Sequence, residues 1–261
     1  MAVLNAKGLL DERSLVSLNA CISMSMSSSS AKMRPSLSTG SRTRRSVTSE
    51  AKPIQSIPPR TAAKGTLLPL RATANGTLRR LQEAALIGFS ERGYHGLSTR
   101  DLATATGVTA SSVYAHVNAK EDLLYQLVTM GHEEHNELLR RALIGSGPHP
   151  RDQMEALVRA HVVMHATYPL LARVCNKELH ALSPANAEQV MRVRLDSEQM
   201  FLDVVKRGIE TGSFHSPDPW LAVAAIAAMG LRVAEWFEPG GPRSVEEVAD
   251  CYSEFALKLL S

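Results

Sequence analysis

The 261-residue chain is 44% hydrophobic and 5% aromatic, enough for one sizeable core, or for one core plus a small satellite domain. Its formal charge of +3 is uneven: residues 1–74 carry 11 Lys+Arg against 3 Asp+Glu, residues 75–122 carry 5 against 5, and residues 123–261 carry 13 against 18. Cys21, Cys175 and Cys251 match no zinc or redox spacing, no run approaches the ~18 apolar residues of a bilayer span, and Asp11 and Glu12 interrupt any leader, so the expected setting is a reducing cytoplasm without membrane contact.

Residues 1–74 are rich in Ser, Thr, Pro and Arg, with the run Ser27–Ser30, the cluster Arg42, Arg44, Arg45 and the pair Pro58-Pro59. No helical or alternating apolar pattern persists there, and the segment is expected not to pack. Three readings stay open: a disordered extension or misassigned start (Met24, Met26 and Met33 are later starts), a basic arm adding nonspecific phosphate affinity, or an Arg/Ser-rich transit peptide.

From Thr77 the pattern turns helical. Leu78, Leu81, Ala85, Leu86 and Phe89 recur at three- and four-residue steps until Gly93. Ser98 with Asp101 three residues later forms an N-cap signal before Leu102 and Ala105. Gly107-Val108 predicts a tight turn, and Thr109 caps a helix through about Val117, whose Ala110, Val113 and Val117 are expected to face the core. Asn118 is expected to cap the next helix, from Ala119 to about Leu143, before Gly145, Gly147, Pro148 and Pro150. Helices are then predicted over about 151–166, 168–182, 184–211, 217–237 and 244–260, with prolines near their ends and no alternating β pattern. The fold class is all-α: a three-helix helix-turn-helix domain over 75–122, followed by a helical domain over 123–261.

Two short helices joined by a glycine turn make a helix-turn-helix, whose second helix buries one face and offers the other to a DNA groove. Outside the core stripe stand Thr109, Ser111, Ser112, Tyr114 and His116, short hydrogen-bonding groups suited to phosphates. The stretches Leu97-Ser98-Thr99-Arg100-Asp101-Leu102-Ala103, Gly107-Val108-Thr109, Val113-Tyr114-Ala115-His116-Val117 and Lys120-Glu121-Asp122-Leu123-Leu124 resemble the TetR family of bacterial regulators. The resemblance implies that Thr99, Ser112, Tyr114, His116 and Lys120 hold phosphates, while Arg100, Ala110 and Ser111 meet base edges. Arg100 is the residue expected to read a guanine, through O6 and N7. Ser111 stands where many members have Gly, and Val117 where many have Phe. Ala110 leaves base-specific bonding sparse and shifts part of the specificity onto DNA shape.

TetR-like proteins pair the DNA head with a helical domain that dimerises and encloses a ligand. Consistent with that, Trp220–Phe237 is apolar nearly all round and is expected to be buried on all sides, and Val245, Val248, Tyr252, Phe255 and Leu259 form one stripe of the last helix. A two-fold four-helix interface from these two helices would place two heads, ~34–36 Å apart, on a palindromic operator. His161, His165, Tyr168, Arg173, Asn176 and Lys177 form a polar stretch, and with Met229 and Trp236 they are the candidate ligand-binding residues. Arg173–Leu179, Arg232–Phe237 and Pro239-Gly240-Gly241-Pro242 resemble the subgroup controlling fatty-acid or steroid breakdown, which implies an acyl-CoA effector. A solvated face or internal ion pairs is the competing reading of those charges. The pairs His161/His165 and His132/His135 have metal-compatible spacing but no Cys or acidic partner at motif spacing, so no metal is assigned and both read as helix-face or pocket histidines. A metal-responsive or ligand-independent regulator is the alternative. No nucleophile elbow, phosphate loop or Rossmann glycines suggest an enzyme, and no cofactor is expected. Ligand is expected to move the helix beginning near Ala119.

Overall fold

The computed structural model describes residues 67–69 and 76–261. Readings placed on residues 1–66 and 70–75 lie outside the described residues. Nine α-helices and no strand occur among the described residues: α1 Thr77–Arg92, α2 Thr99–Thr106, α3 Ala110–Tyr114, α4 Lys120–Gly145, α5 Pro150–Thr167, α6 Pro169–Lys177, α7 Pro184–Glu210, α8 Pro219–Trp236 and α9 Val245–Leu259, with a 3-10 turn at Leu179–Ala181. None of these helices is long and apolar enough to cross a membrane.

Local chemistry sets the helix ends. Ser98 and Asp101 exchange bonds, with Asp101 N–H donating to Ser98 Oγ at 3.1 Å and Ser98 N–H to Asp101 Oδ2 at 2.8 Å. Ser244 and Glu247 repeat the device at α9. Asp218 Oδ1 accepts the Trp220 and Leu221 N–H groups at 3.0 and 3.1 Å to start α8. Four helices open with proline at their first turn, where its missing N–H costs nothing. Gly107, at φ 68°, closes α2 in the left-handed region that the tight turn needs.

Several boundaries differ from the sequence reading. The helix after Thr109 stops at Tyr114, and Val117 is buried from the loop beyond it. Ala119, not Asn118, is the N-cap of α4, because the Asp122 carboxylate accepts both the Asn118 and Ala119 N–H groups, at 2.9 and 3.1 Å. The expected helix 168–182 ends at Lys177, where the chain tightens into the 3-10 turn. Leu68 and Pro69, which composition places in an unpacking tail, are buried, and Leu68 sits in the core at 0% exposure.

Two apolar clusters hold the helices. The first joins Leu81, Leu86, Phe89, Leu102 and Val113 of the head to Leu123, Leu124 and Leu127 of α4 and to Leu171, Val174 and Cys175 of α6. The head therefore has no closed core of its own; α4 and α6 complete it. The second cluster packs α5, α7, α8 and α9 around Leu157, Phe201, Ile226, Val233 and Val248. At 26 residues, α4 is ~39 Å long and runs from the head into the space between the clusters.

Candidate nucleic-acid interface and effector cavity

On the head, Val113 and Val117 anchor α3 and its following loop in the core at 0% and 5% exposure. Ala110, Ser111, Tyr114 and His116 are exposed, as is Arg100 on α2. Ala110 thus faces outward, against the core position its spacing suggests, because one face of a five-residue helix is satisfied by Val113. Thr109 caps α3 by accepting the Ser112 N–H at 3.2 Å, and its Oγ1 lies 2.8 Å from Ser111 Oγ and 3.1 Å from Ser112 Oγ. Three hydroxyls are thereby gathered at one helix start. Thr99, at the start of α2, is half-buried.

Lys120 occupies a more internal position than its assigned phosphate contact suggests. Its ammonium donates to Tyr94 O at 2.7 Å and Leu97 O at 2.6 Å, and lies 4.1 Å from the Tyr94 ring centroid. Partial burial lowers its pKa. Two of its three N–H donors are thus committed to holding the α1–α2 loop against the start of α4. That loop is held from the other side by Glu178, just after α6, whose Oε2 accepts the Tyr94 N–H at 2.9 Å. The base of α4 is tied to α7 as well: Glu121 Oε1 accepts Ser183 N–H at 2.7 Å and Asn186 Nδ2–H at 2.8 Å, and the Ser183 bonds lower its pKa most.

Between the two clusters lies a cavity of about 270 Å³. Gly131, His132 and His135 of α4, His161, Met164 and His165 of α5, and Ala172, Cys175 and Asn176 of α6 form one side. Arg194, Ser197, Glu198 and Phe201 of α7, with Trp220, Val223, Ala227 and Leu231 of α8, form the other. Two glycines make the close approaches possible. A Cβ on Gly131 would meet Cys175 Sγ, and one on Gly230 would meet the His161 ring, so only glycine lets α6 and α5 come this near their partners.

The two histidine pairs noted in the sequence face one another. Ring centroids lie 4.9 Å apart for His135–His161, 4.4 Å for His161–His165 and 5.7 Å for His135–His165. The hydrogen bonds fix most of their protons. Ala227 O can only accept, so His161 Nε2–H donates to it at 3.0 Å. Burial lowers the His161 pKa to about 4, with Arg194 also lowering it and the Ala227 bond opposing. The neutral ring then accepts at Nδ1 from His135 Nε2–H, 2.9 Å away. His135 Nδ1 is left as an acceptor 3.3 Å from Ser197 Oγ, which also bonds Asn136 Oδ1. Asn136 is oriented by its own donation to Val193 O at 2.8 Å, so the single Ser197 proton is shared between two acceptors. His132, also buried, is lowered to about 3 by burial first and Arg194 second. His135 and His165 are lowered well below the usual value, again by burial first and by His161 next. Burial also raises the Cys175 thiol to about 12, leaving it unreactive.

Of the residues assigned to ligand from sequence, His161, His165 and Asn176 line this cavity. The other five do not. Tyr168 packs on the head-side core, Lys177 pairs with Glu235 at 2.9 Å, and Met229 packs on the second core. Arg173 lies off the cavity with its Nε buried and unbonded. Trp236 is 39% exposed and tilts onto Tyr252 with 6.5 Å between rings. Sequence reading missed Arg194, Ser197 and Trp220, and did not assign His132 and His135 to ligand. No group of three or more His, Cys, Asp or Glu side chains among the described residues is arranged to hold a metal ion.

Across the C-terminal helices, α8 is not buried on all sides as its composition predicts. Leu221 is 58% exposed, and Phe255 and Leu259 of α9 are 45% and 42% exposed. Ala225, one turn along α8 from Leu221, is exposed as well.

A capped helix-turn-helix head sharing one core with a cavity-bearing helical body defines a helix-turn-helix regulator. Residues 81–127 match the bacterial regulatory proteins of the tetR family, and residues 147–260 match the tetracyclin repressor-like C-terminal domain. The chain belongs to the TetR family. It is 25% identical over 185 residues to the HTH-type transcriptional repressor KstR2 of Rhodococcus jostii, covering 70% of this chain and 90% of that protein. A tetR-family regulatory protein from Rhodococcus RHA1 superposes with a TM-score of 0.67 at 28% identity, over 72% of this chain and 98% of that one. AibR, solved with isovaleryl coenzyme A and operator DNA, shares the fold at a TM-score of 0.61 and 20% identity, over 69% and 97% of the two chains.

Proposed function

We propose that this chain is a homodimeric repressor, acting in the cytoplasm, that leaves a palindromic operator when the acyl part of a coenzyme A thioester enters the cavity. One observation carries the reading: α4 and α6 both line the cavity and both grip the head. On α4, Gly131, His132 and His135 face the cavity, and Lys120, ~17 Å along the same helix, clamps Tyr94 and Leu97. On α6, Ala172, Cys175 and Asn176 face the cavity, and Glu178, just beyond its end, holds Tyr94 N–H. An occupant that spreads α4 from α6 moves both clamps, and it acts only as far as it binds that state more tightly. Transmission thus runs through α6 as well as through the helix beginning near Ala119.

Repression and the thioester are carried over from what KstR2 and AibR are described as doing. At about 270 Å³, just under the ~300–1,000 Å³ of drug-sized sites, the cavity suits an acyl body and leaves the nucleotide outside. The exposed apolar patch of Leu221, Phe255 and Leu259 suits a two-fold four-helix interface. We read Thr99, Thr109, Ser112, Tyr114, His116 and the third Lys120 donor as phosphate contacts, and Arg100, Ala110 and Ser111 as facing base edges. These relatives are regulators, and the cavity's polar groups serve recognition, not turnover.

The test uses a duplex enriched from a random library by the full chain, followed by fluorescence anisotropy. Acyl-CoA thioesters of graded chain length should release the duplex, with free CoA and free acids inert. Arg100→Ala should narrow the gap between enriched and random DNA. Operator binding unmoved by every thioester would overturn the effector assignment, and no enriched duplex would overturn the DNA reading.

A further inference from the structure

The tautomer of one cavity histidine restricts the chemistry of whatever binds there. His165 is 4% exposed, and its Nδ1 lies 2.8 Å from the His161 carbonyl oxygen, which can only accept. Nδ1 therefore carries the proton. Deep burial keeps the ring neutral, with His132, His135, His161, Cys175, Arg194 and Glu198 facing it across the cavity. A neutral ring protonated at Nδ1 has a bare lone pair at Nε2. No described residue bonds that nitrogen, and unlike His132 Nε2 it is not sealed from the cavity. One Nδ2–H of Asn176 donates to Ala172 O at 2.8 Å, which orients the amide and leaves Oδ1 as an acceptor beside a second N–H donor on the cavity wall. Glu198 adds a carboxylate there, with Oε1 taken by Trp220 Nε1–H at 2.9 Å and Oε2 open.

His165 Nε2 and Glu198 Oε2 thus meet the cavity as acceptors alone. A ligand with carbonyl oxygens alone would set lone pair against lone pair at His165. We propose that the effector carries a hydroxyl on its apolar body and donates its proton to His165 Nε2. This rests on the cavity being the effector site and goes beyond the thioester, whose carbonyl is an acceptor only.

Three probes of one skeleton test it on the full-length protein: trans-2-decalol, trans-2-decalone and trans-decalin, titrated by calorimetry. The alcohol should bind about tenfold tighter than the ketone, the scale of one hydrogen bond against an unpaired buried acceptor. His165→Phe should abolish that preference, and His165→Gln, whose amide oxygen can accept, should restore part of it. Independently of any variant, long-range 1H–15N correlation spectra should show His165 protonated at Nδ1, with Nε2 shifting on addition of the alcohol only. Equal binding of alcohol and ketone, or an Nε2-protonated His165, overturns the hydroxyl while leaving the cavity reading intact. Failure of all three probes to bind overturns both.

Discussion

The Glu178 carboxylate, one residue past the end of α6, accepts the backbone N–H of Tyr94 in the DNA-binding head across 84 positions of sequence, at 2.9 Å. Tyr94 receives the Lys120 ammonium on its carbonyl at the same time, so one residue of the α1–α2 loop is held from α4 and from the end of α6, two of the helices that line the cavity. This is a charge-assisted bond, and these run about twice the strength of neutral ones. Glu178→Ala should therefore loosen the coupling between the two parts. The ratio of operator dissociation constants with and without effector should fall toward one, while cavity binding followed by calorimetry stays within about twofold. An unchanged ratio would mean that α4 alone carries the signal.

Lys120 separates a structural role from a DNA-contact role. Lys120→Met keeps the stem and removes the charge, leaving the Tyr94 and Leu97 carbonyls without their donor, a loss of about 1–3 kcal/mol in urea unfolding. If the third N–H also meets a phosphate, the slope of log affinity against log salt should fall by about 1. Loss of stability with an unchanged slope would confine Lys120 to the clamp.

The buried histidines give stability a particular pH dependence. Burial, as the first cause, depresses all four folded-state pKa values, to about 3 for His132 and about 4 for His161. The unfolded rings titrate near 6.5, so their contribution is complete above that pH and is lost as pH falls below it. Unfolding free energy should drop between pH 6.5 and 4.5 by up to ~1.4 kcal/mol per pH unit for each histidine. The carboxylates lowered by hydrogen bonds, Asp101 and Glu121, act below that window. Urea titrations at pH 7.5, 6.0 and 5.0 should show the slope, and His132→Phe should lower it by up to ~1.4 kcal/mol per pH unit. A flat wild-type profile would show that these rings are not held neutral.

The exposed apolar face of α8 and α9 predicts a definite oligomer. Leu221→Asp with Phe255→Asp should halve the mass measured by light scattering and reduce operator affinity by more than tenfold, since one head then meets one half-site. Far-ultraviolet circular dichroism should stay unchanged. A wild-type monomer that still binds DNA would remove the dimer from the proposal.

The head was legible because its determinants are local. Ser98 and Asp101 are three residues apart, Thr109 and Ser112 likewise, and Gly107 marks the turn by the backbone it must adopt. The cavity was only half legible, because its contacts join helices far apart in sequence. His161 meets Ala227 across 66 positions, and His135 meets Ser197 across 62. Helical periodicity gives the inward face of each segment but not the rotation or register of one helix against another. That is why Lys177 and Trp236, on helices bordering the cavity, turned out to face a salt bridge and an exposed edge, while Arg194 and Trp220 went unmarked. Gly131 looks unremarkable within α4, and only the approach of Cys175 gives it meaning.

The apolar cluster that begins at Leu68 and Leu81 and ends at Cys175 and Val190 makes the reading head a poor export. Cut after Asp122, it would lose Leu123, Leu124, Leu127, Leu171 and Val174, and expose the side of Phe89 and Leu102 that they cover. Swapping this head onto another sensor body would therefore require carrying α6 and half of α4 with it. Substitutions chosen at the cavity to change what is sensed will, through those shared side chains, also retune how firmly the DNA-reading surface holds its shape.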